Sequence, residues 1–183
     1  DGNDTGEDEK SMLAQARTVY TMASAHRAGY GNGRCAEYAR HGVDFLIEKM
    51  WDDDYGGFYW ITDRKGNVTC DKKILYGLSF AIYSLSEYTL ATQDARGIEY
   101  AGKVFDLIKK YAADTMYGGY WEMFEHNWDL CGPGSQGGDR KTLDVHMHLM
   151  EAFTTLYECS GQSIHRRTLI EDIDLLTKRI LHP

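Results

Sequence analysis

A short aromatic-glycine signature occurs twice in this chain, as Asp54-Tyr55-Gly56-Gly57-Phe58-Tyr59 and as Met116-Tyr117-Gly118-Gly119-Tyr120-Trp121, with Tyr55 and Tyr117 62 positions apart. A pair of segments with helical periodicity precedes each copy, so the sequence predicts a repeat of helix, helix, linker. The predicted helices are 10–29 and 35–50, then 73–92 and 96–113, then 141–158 and 163–181. Between them, 51–71 and 114–130 combine glycine pairs, aromatic runs and turn residues, which reads as two short β-hairpins. The glycine-rich stretch 131–138 lacks the Lys and Ser/Thr of a phosphate-binding loop and reads as a flexible connection.

Three αα-hairpins of this kind bury their faces by stacking, and an array of them needs caps or closure into a ring. The first helix of each pair carries the unusual polar residues and is expected to face inward. These residues are Gln15, Arg17 and Ser24 in the first helix, Tyr76, Ser79, Tyr83 and Glu87 in the third, and Asp144, His148 and Glu151 in the fifth. The second helix of each pair is expected outside.

The fifth helix is the most informative. Val145, Leu149, Ala152 and Leu156 form its packing stripe, while Asp144, His148, Glu151 and Thr155 recur about 100° further round, flanked by Met147, Met150 and Phe153. Carboxylates and an imidazole in such surroundings line a wet cavity or face solvent, because unpaired buried charge is costly. His146 and His148 do not make a metal pair, since residues two apart on a helix diverge by about 200°. Arg17 stands among small and apolar residues, where an arginine pairs with a carboxylate such as Asp144 or Glu151, or faces a ligand. Tyr76 and Trp60 serve either as packing or as ligand contacts.

The net charge of −8 argues against nucleic acid and anionic membranes as partners, and no apolar run is long enough to span a bilayer. Residues 1–9 are acidic and polar and read as a disordered or appended leader, with one domain over 10–183. Cys35, Cys70, Cys131 and Cys159 form no CxxC pair and read as reduced thiols in a cytoplasmic protein. The 13 tyrosines and 4 tryptophans suit the flat faces of sugars or cofactors. No GxSxG elbow or catalytic cysteine context is present.

Taken in order, Gln15-Ala16-Arg17, Asp52 to Trp60, Lys72 to Tyr88, the second YGGYWE and Arg140 to Tyr157 resemble the N-acylglucosamine 2-epimerase superfamily, in its cellobiose 2-epimerase and mannose isomerase branch. The resemblance runs from about Met12 to the end. It implies an all-α fold, the N-terminal half of an (α/α)6 barrel, and proton transfer at C2 (C1/C2) of a mono- or disaccharide through an enediolate, with no metal or other cofactor. It also implies that Arg17 stabilises enediolate charge, that His148 assists proton transfer, and that Tyr76, Trp60, Asp144 and Glu151 contact the sugar.

Two departures follow from the same comparison. Cellobiose epimerases usually carry Asn where this chain has Asp144. Members of the superfamily are about twice as long, with their principal acid/base histidines in the other half, so this chain alone is expected to be inactive and to need that half, or a homodimeric partner, for completion. A non-catalytic sugar-binding or interaction module on the same fold is the alternative. An (α/α)-barrel glycoside hydrolase using Asp144 and Glu151 is a third reading, disfavoured because both acids sit on one helix face.

Overall fold

The computed structural model describes residues 6, 8–134 and 137–181, so most of the expected leader lies outside the described residues. Six α-helices run in three antiparallel pairs: α1 (Met12–Arg27) with α2 (Arg34–Phe45), α3 (Leu75–Thr92) with α4 (Ala95–Leu107), and α5 (Leu143–Ser160) with α6 (Ser163–Leu175). The first members pack on one another in the order α1, α3, α5, and each second member covers its own partner from outside. This is the arrangement predicted from the repeat, three stacked hairpins with the first helix of each inside, and the arc they form is the half of an (α/α)6 barrel that the resemblance implies. α3, flanked on both sides, is the most buried helix and supplies Leu75, Leu78, Ala81, Ile82 and Leu85 to the core.

The repeat is close. α3 and α5 both have 18 residues, and α4 and α6 both have 13. Each position of the third hairpin lies 68 residues beyond its counterpart in the second, as Leu75 to Leu143 and Leu107 to Leu175 show. Every outer helix ends in a five-residue π-helical turn: Leu46–Met50, Ile108–Ala112 and Leu176–Ile180. The linkers differ in one respect from two self-contained hairpins. β2 (Ile61–Thr62) pairs with both β1 (Lys10–Ser11) and β3 (Val68–Cys70), whereas β5 (Met123–Phe124) pairs with β4 (Lys73–Ile74), immediately ahead of α3. Lys73 and Ile74 are therefore strand where helical periodicity placed the start of a helix, because their backbones are engaged by the next linker.

Both linkers are built around one ion-paired clamp. Asp52 Oδ1 accepts the backbone N–H groups of Asp54 and Tyr55 at 3.0 and 3.3 Å and the Tyr59 hydroxyl at 3.1 Å. Its Oδ2 lies 2.6 Å from Lys73 Nζ, with both side chains fully buried. The ammonium sits 4.6 Å from the Tyr59 ring centroid. Burial pushes the Asp52 carboxyl up, but the Lys73 contact and the backbone donors outweigh it and hold the group below the usual carboxylate range. In the second linker Asp114 Oδ1 accepts from Met116 and Tyr117 at 2.9 and 3.0 Å, Lys141 pairs with Asp114, and Lys141 Nζ lies 4.2 Å from the Trp121 ring. Between carboxylate and aromatic the chain turns through Gly56 and Gly57, at φ +74 and +82, and through Gly118 and Gly119, both at φ +79. Only glycine enters that region without strain.

One outer-helix position breaks the repeat. Asp172 stands where α4 has the fully buried Val104; the residue is 2% exposed, and among the described residues neither carboxylate oxygen has a hydrogen-bond partner. Burial raises its pKa to about 7, with Lys109 opposing.

Two predictions follow from these contrasts. In the intact chain, Lys73→Met should cost about 3–5 kcal/mol in urea unfolding, because it strands a buried carboxylate. Lys141→Met should cost clearly less, because 21% of the Lys141 side chain reaches water; equal losses would mean that burial does not set the value of the clamp. For Asp172, the native pKa lies above the unfolded value of 3.8, so its contribution to stability is full below about pH 4 and is lost as pH rises towards 7. Asp172→Val should therefore gain on wild type by on the order of 4 kcal/mol between pH 4 and pH 8. A constant difference across that range would refute the assignment.

Candidate functional site

The clamp lysines fix where the inner helices begin. Lys73 and Lys141 stand two residues before the first residues of α3 and α5, and Lys10 stands two before that of α1. Counted from these starts, the sixth residues are Arg17, Phe80 and His148, and the ninth are Tyr20, Tyr83 and Glu151. Positions three apart share a helix face, so these residues form two rows across the concave side of the arc.

The rows are in contact. The Arg17 guanidinium carbon lies 5.7 Å from the Phe80 ring centroid, and the Phe80 and His148 rings are 4.7 Å apart. Tyr20 stacks on Tyr83 at 4.1 Å and 18°. Tyr76, one turn before Phe80, meets His148 edge-on at 5.1 Å and 87°. Burial, together with a hydrogen bond to Tyr20, raises the Tyr83 pKa and keeps the phenol protonated. At the far end of the same helices Arg27 joins Glu87 at 2.9 Å and Glu158 at 2.6 Å, tying α1, α3 and α5 together. Burial lifts the Glu87 carboxyl, and Arg27 partly offsets this.

His148 is the chemically distinctive member. Its side chain is 16% exposed, its Nδ1 is 2.8 Å from Glu151 Oε2, and its Nε2 is 3.6 Å from Asp144 Oδ1. In the neutral ring, Nδ1–H donates to the carboxylate and Nε2 keeps its lone pair, an assignment dictated by the hydrogen-bond partner. The imidazole is thus oriented by Glu151, walled by Phe80 and Tyr76, and accompanied by a second carboxylate suited to stabilising an imidazolium. An imidazole held in this way can accept a proton at Nε2. His146 points elsewhere, as helical geometry requires: it is fully buried, with Nδ1 2.7 Å from Thr142 O and Nε2 accepting the Tyr120 N–H at 3.1 Å. Burial lowers its pKa, so it stays neutral.

The candidate residues do not all converge. Asp144, His148, Glu151, Tyr76 and Arg17 share the concave face. Arg17 is exposed and, among the described residues, pairs with neither Asp144 nor Glu151, since both carboxylates flank His148 instead. Trp60 stands apart. Its ring packs on Gly77, where a Cβ would lie only 2.7 Å away, and it lines a separate cleft with Lys72, Ile74, Met123 and Cys131. Phe80 and Tyr20 were not anticipated from the sequence; Tyr83, expected to face inward, stacks on Tyr20. Phe80 sits four residues after Tyr76, a spacing that marks the same face; the adjacent Ser79 is fully buried and donates to the Tyr76 carbonyl at 2.7 Å.

An arc of paired helices whose concave face presents an oriented imidazole and, across one aromatic ring, a guanidinium defines a class, and comparison with known proteins defines the family. The chain belongs to the N-acylglucosamine 2-epimerase (GlcNAc 2-epimerase) family, whose pattern matches residues 1–182. It is 32% identical to the cellobiose 2-epimerase of Bacteroides fragilis over 98% of this chain and 48% of that protein. It is 22% identical to the D-mannose isomerase of Thermobifida fusca over 81% of this chain and 34% of that protein. The solved cellobiose 2-epimerase of Bacillus thermoamylovorans B4167 superposes with a TM-score of 0.91 at 27% identity, over 97% of this chain and 47% of that one. The chain therefore spans about half the length, or less, of the relatives it matches. Among the described residues, no helix is long and apolar enough to cross a membrane.

The Glu151 contact has a direct signature. Nitrogen-15 spectra of the imidazoles above neutral pH should show His148 as the Nδ1–H tautomer, and Glu151→Ala should return it to the Nε2–H form common for free histidine. An Nε2–H ring in the unaltered protein would remove Glu151 as the orienting group.

Proposed function

We propose that this chain supplies one wall of the active site of a sugar 2-epimerase or aldose–ketose isomerase, acting by proton transfer at C2 (C1/C2) through an enediolate. The observation that carries the reading is the row of Arg17, Phe80 and His148 on the concave face, with Glu151 behind the imidazole. The family and the names of its relatives support a sugar as substrate. Removing the C2 proton of an open-chain aldose leaves a C1=C2 enediolate with negative charge on the C1 oxygen. Return of a proton to the opposite face of C2 gives the epimer; return to C1, with the O2 proton passing to the C1 oxygen as C2=O forms, gives the ketose.

In this scheme Arg17 faces the developing oxyanion, as an exposed guanidinium that pairs with no carboxylate among the described residues can. His148 carries or relays a proton through Nε2, and Asp144 and Glu151 stabilise the imidazolium and reach sugar hydroxyls. Tyr76 and Phe80 give the sugar an aromatic face. The principal acid/base pair is assigned to the complementary half, so the isolated chain should exchange little or no proton with solvent. Asp144 and Glu151 both flank one imidazole on one helix, which does not place two acids on opposite sides of a glycosidic bond.

A chimera tests this. The matching segment of the Bacteroides fragilis enzyme would be replaced by this chain, and cellobiose incubated with it in D2O. Deuterium should appear at C2, and His148→Asn in the chimera should slow its incorporation by about 10²–10⁴-fold. Exchange that is untouched by His148→Asn, or a folded chimera that binds cellobiose without exchange, would reject the role proposed for this wall.

A further inference from the structure

The two YGG loops are alike in sequence and backbone, but their surroundings differ in one way. The first is covered by Trp128, which comes from the following linker. Its indole donates to Tyr55 O at 3.1 Å and to Gly56 O at 3.3 Å, and it stacks on Tyr111 at 5.2 Å and 15°. A Cβ on Gly57 would lie 3.0 Å from its ring, and Leu107 of α4 closes the other side of Gly56. His126 from the same linker brings Nε2 to 2.9 Å from the clamp carboxylate of Asp52.

The second loop carries the same seat, formed by the counterparts of these residues. Leu175, the counterpart of Leu107, packs against Gly118 and Gly119. Arg179, the counterpart of Tyr111, donates from Nη1 to Tyr117 O at 2.9 Å, the carbonyl equivalent to the one that receives the indole in the first loop. Between loop and helix lies a cavity of about 530 Å³, lined by Asp114, Tyr117, Gly118, Gly119, Leu175 and Arg179, among others. Tyr117 is 68% exposed, against 48% for Tyr55.

We infer that this cavity is the docking site for an indole carried on a polypeptide linker of the same repeat type, seated on the second YGG loop as Trp128 is seated on the first. The indole N–H shares Tyr117 O, which has a second lone pair, and the ring lies on Leu175 and beneath the planar guanidinium of Arg179, which takes the stacking role of Tyr111. An imidazole two residues ahead of the indole approaches Asp114, as His126 approaches Asp52. The inference rests on internal symmetry and does not depend on the sugar reading: the cavity is on the outer-helix side, and none of its lining residues belongs to the Arg17–His148 face.

A blocked peptide with the sequence of residues 124–130, Phe-Glu-His-Asn-Trp-Asp-Leu, reproduces the linker that covers the first seat. Titrated into the nitrogen-15-labelled intact chain, it should give saturable amide shifts at Gly118, Gly119 and residues 175–179 and none at Gly56 and Gly57, whose seat Trp128 already fills. The same peptide carrying Trp128→Leu should lose at least tenfold in affinity. In the protein, Arg179→Ala should weaken binding of the tryptophan peptide while leaving the unfolding curve nearly unchanged, since Arg179 is a surface residue. Absence of saturation at millimolar peptide, equal binding of the leucine peptide, or shifts centred on the concave face would overturn the proposal. Shifts that grow with protein concentration in the absence of peptide would assign the cavity to a second copy of the chain, and would overturn it equally.

Discussion

The buried pair of Asp52 and Lys73 is the interaction on which the rest of the arc depends. Its carboxylate organises the tight YGG turn through backbone N–H groups, and its ammonium belongs to the residue two places before α3. One contact therefore joins the end of one hairpin to the start of the next. A buried ion pair is weak evidence for net stability, because desolvation offsets much of the Coulombic gain. What such a pair can supply is register, since an apolar contact would tolerate a slide of the helix and this geometry does not. The second pair, Asp114 with Lys141, repeats the device at the next joint.

Register is what turns three helices into a site. Because the inner helices start at the same level, their sixth residues meet in a row, and that row contains a cation, an aromatic ring and an imidazole. A slip by one residue would rotate each of them by about 100° and scatter the row. The clamp therefore bears on the candidate site through the register it sets. It also accounts for the buried position of Lys73, a residue type almost never fully buried unless paired.

Much of this was legible in the sequence, for a physical reason. The paired YGG signatures and the 3.6-residue periodicity report local backbone needs, positive φ at paired glycines and a continuous apolar stripe, and such needs are written locally. The inward side of α5 was legible too, because a polar stripe flanked by methionine and phenylalanine has few places to go. Partnership across helices was not. Arg17 reads as pairing with Asp144 or Glu151 or as facing a ligand, and the choice is not written locally: those carboxylates bind their own helix's imidazole, one turn away and at small entropic cost. Phe80 escaped notice because an aromatic on an apolar helix resembles core, and only the contact with His148 on a different helix distinguishes it. Strand β4 was hidden for a related reason: its pairing partner lies some fifty residues further on.

Internal repetition also separates architecture from chemistry in a way that burial alone does not. By burial and charge, the Asp52, Lys73, Tyr59 and His126 cluster has the marks of an active site: an enclosed carboxylate, a lysine whose pKa burial lowers, and an imidazole within 2.9 Å. But the carboxylate, the ammonium and the aromatic under it recur in the second linker, with Trp121 in place of Tyr59, and a group that recurs at each joint serves the joint. The concave row behaves in the opposite way. Arg17, Phe80 and His148 occupy one repeat position with three different chemistries, and one turn on Glu151 departs from the tyrosine shared by Tyr20 and Tyr83. Where the repeat constrains packing the residues agree; where it leaves a face open they diverge. That divergence, rather than any single perturbed group, is the physical ground for placing the site on the inner face of the arc.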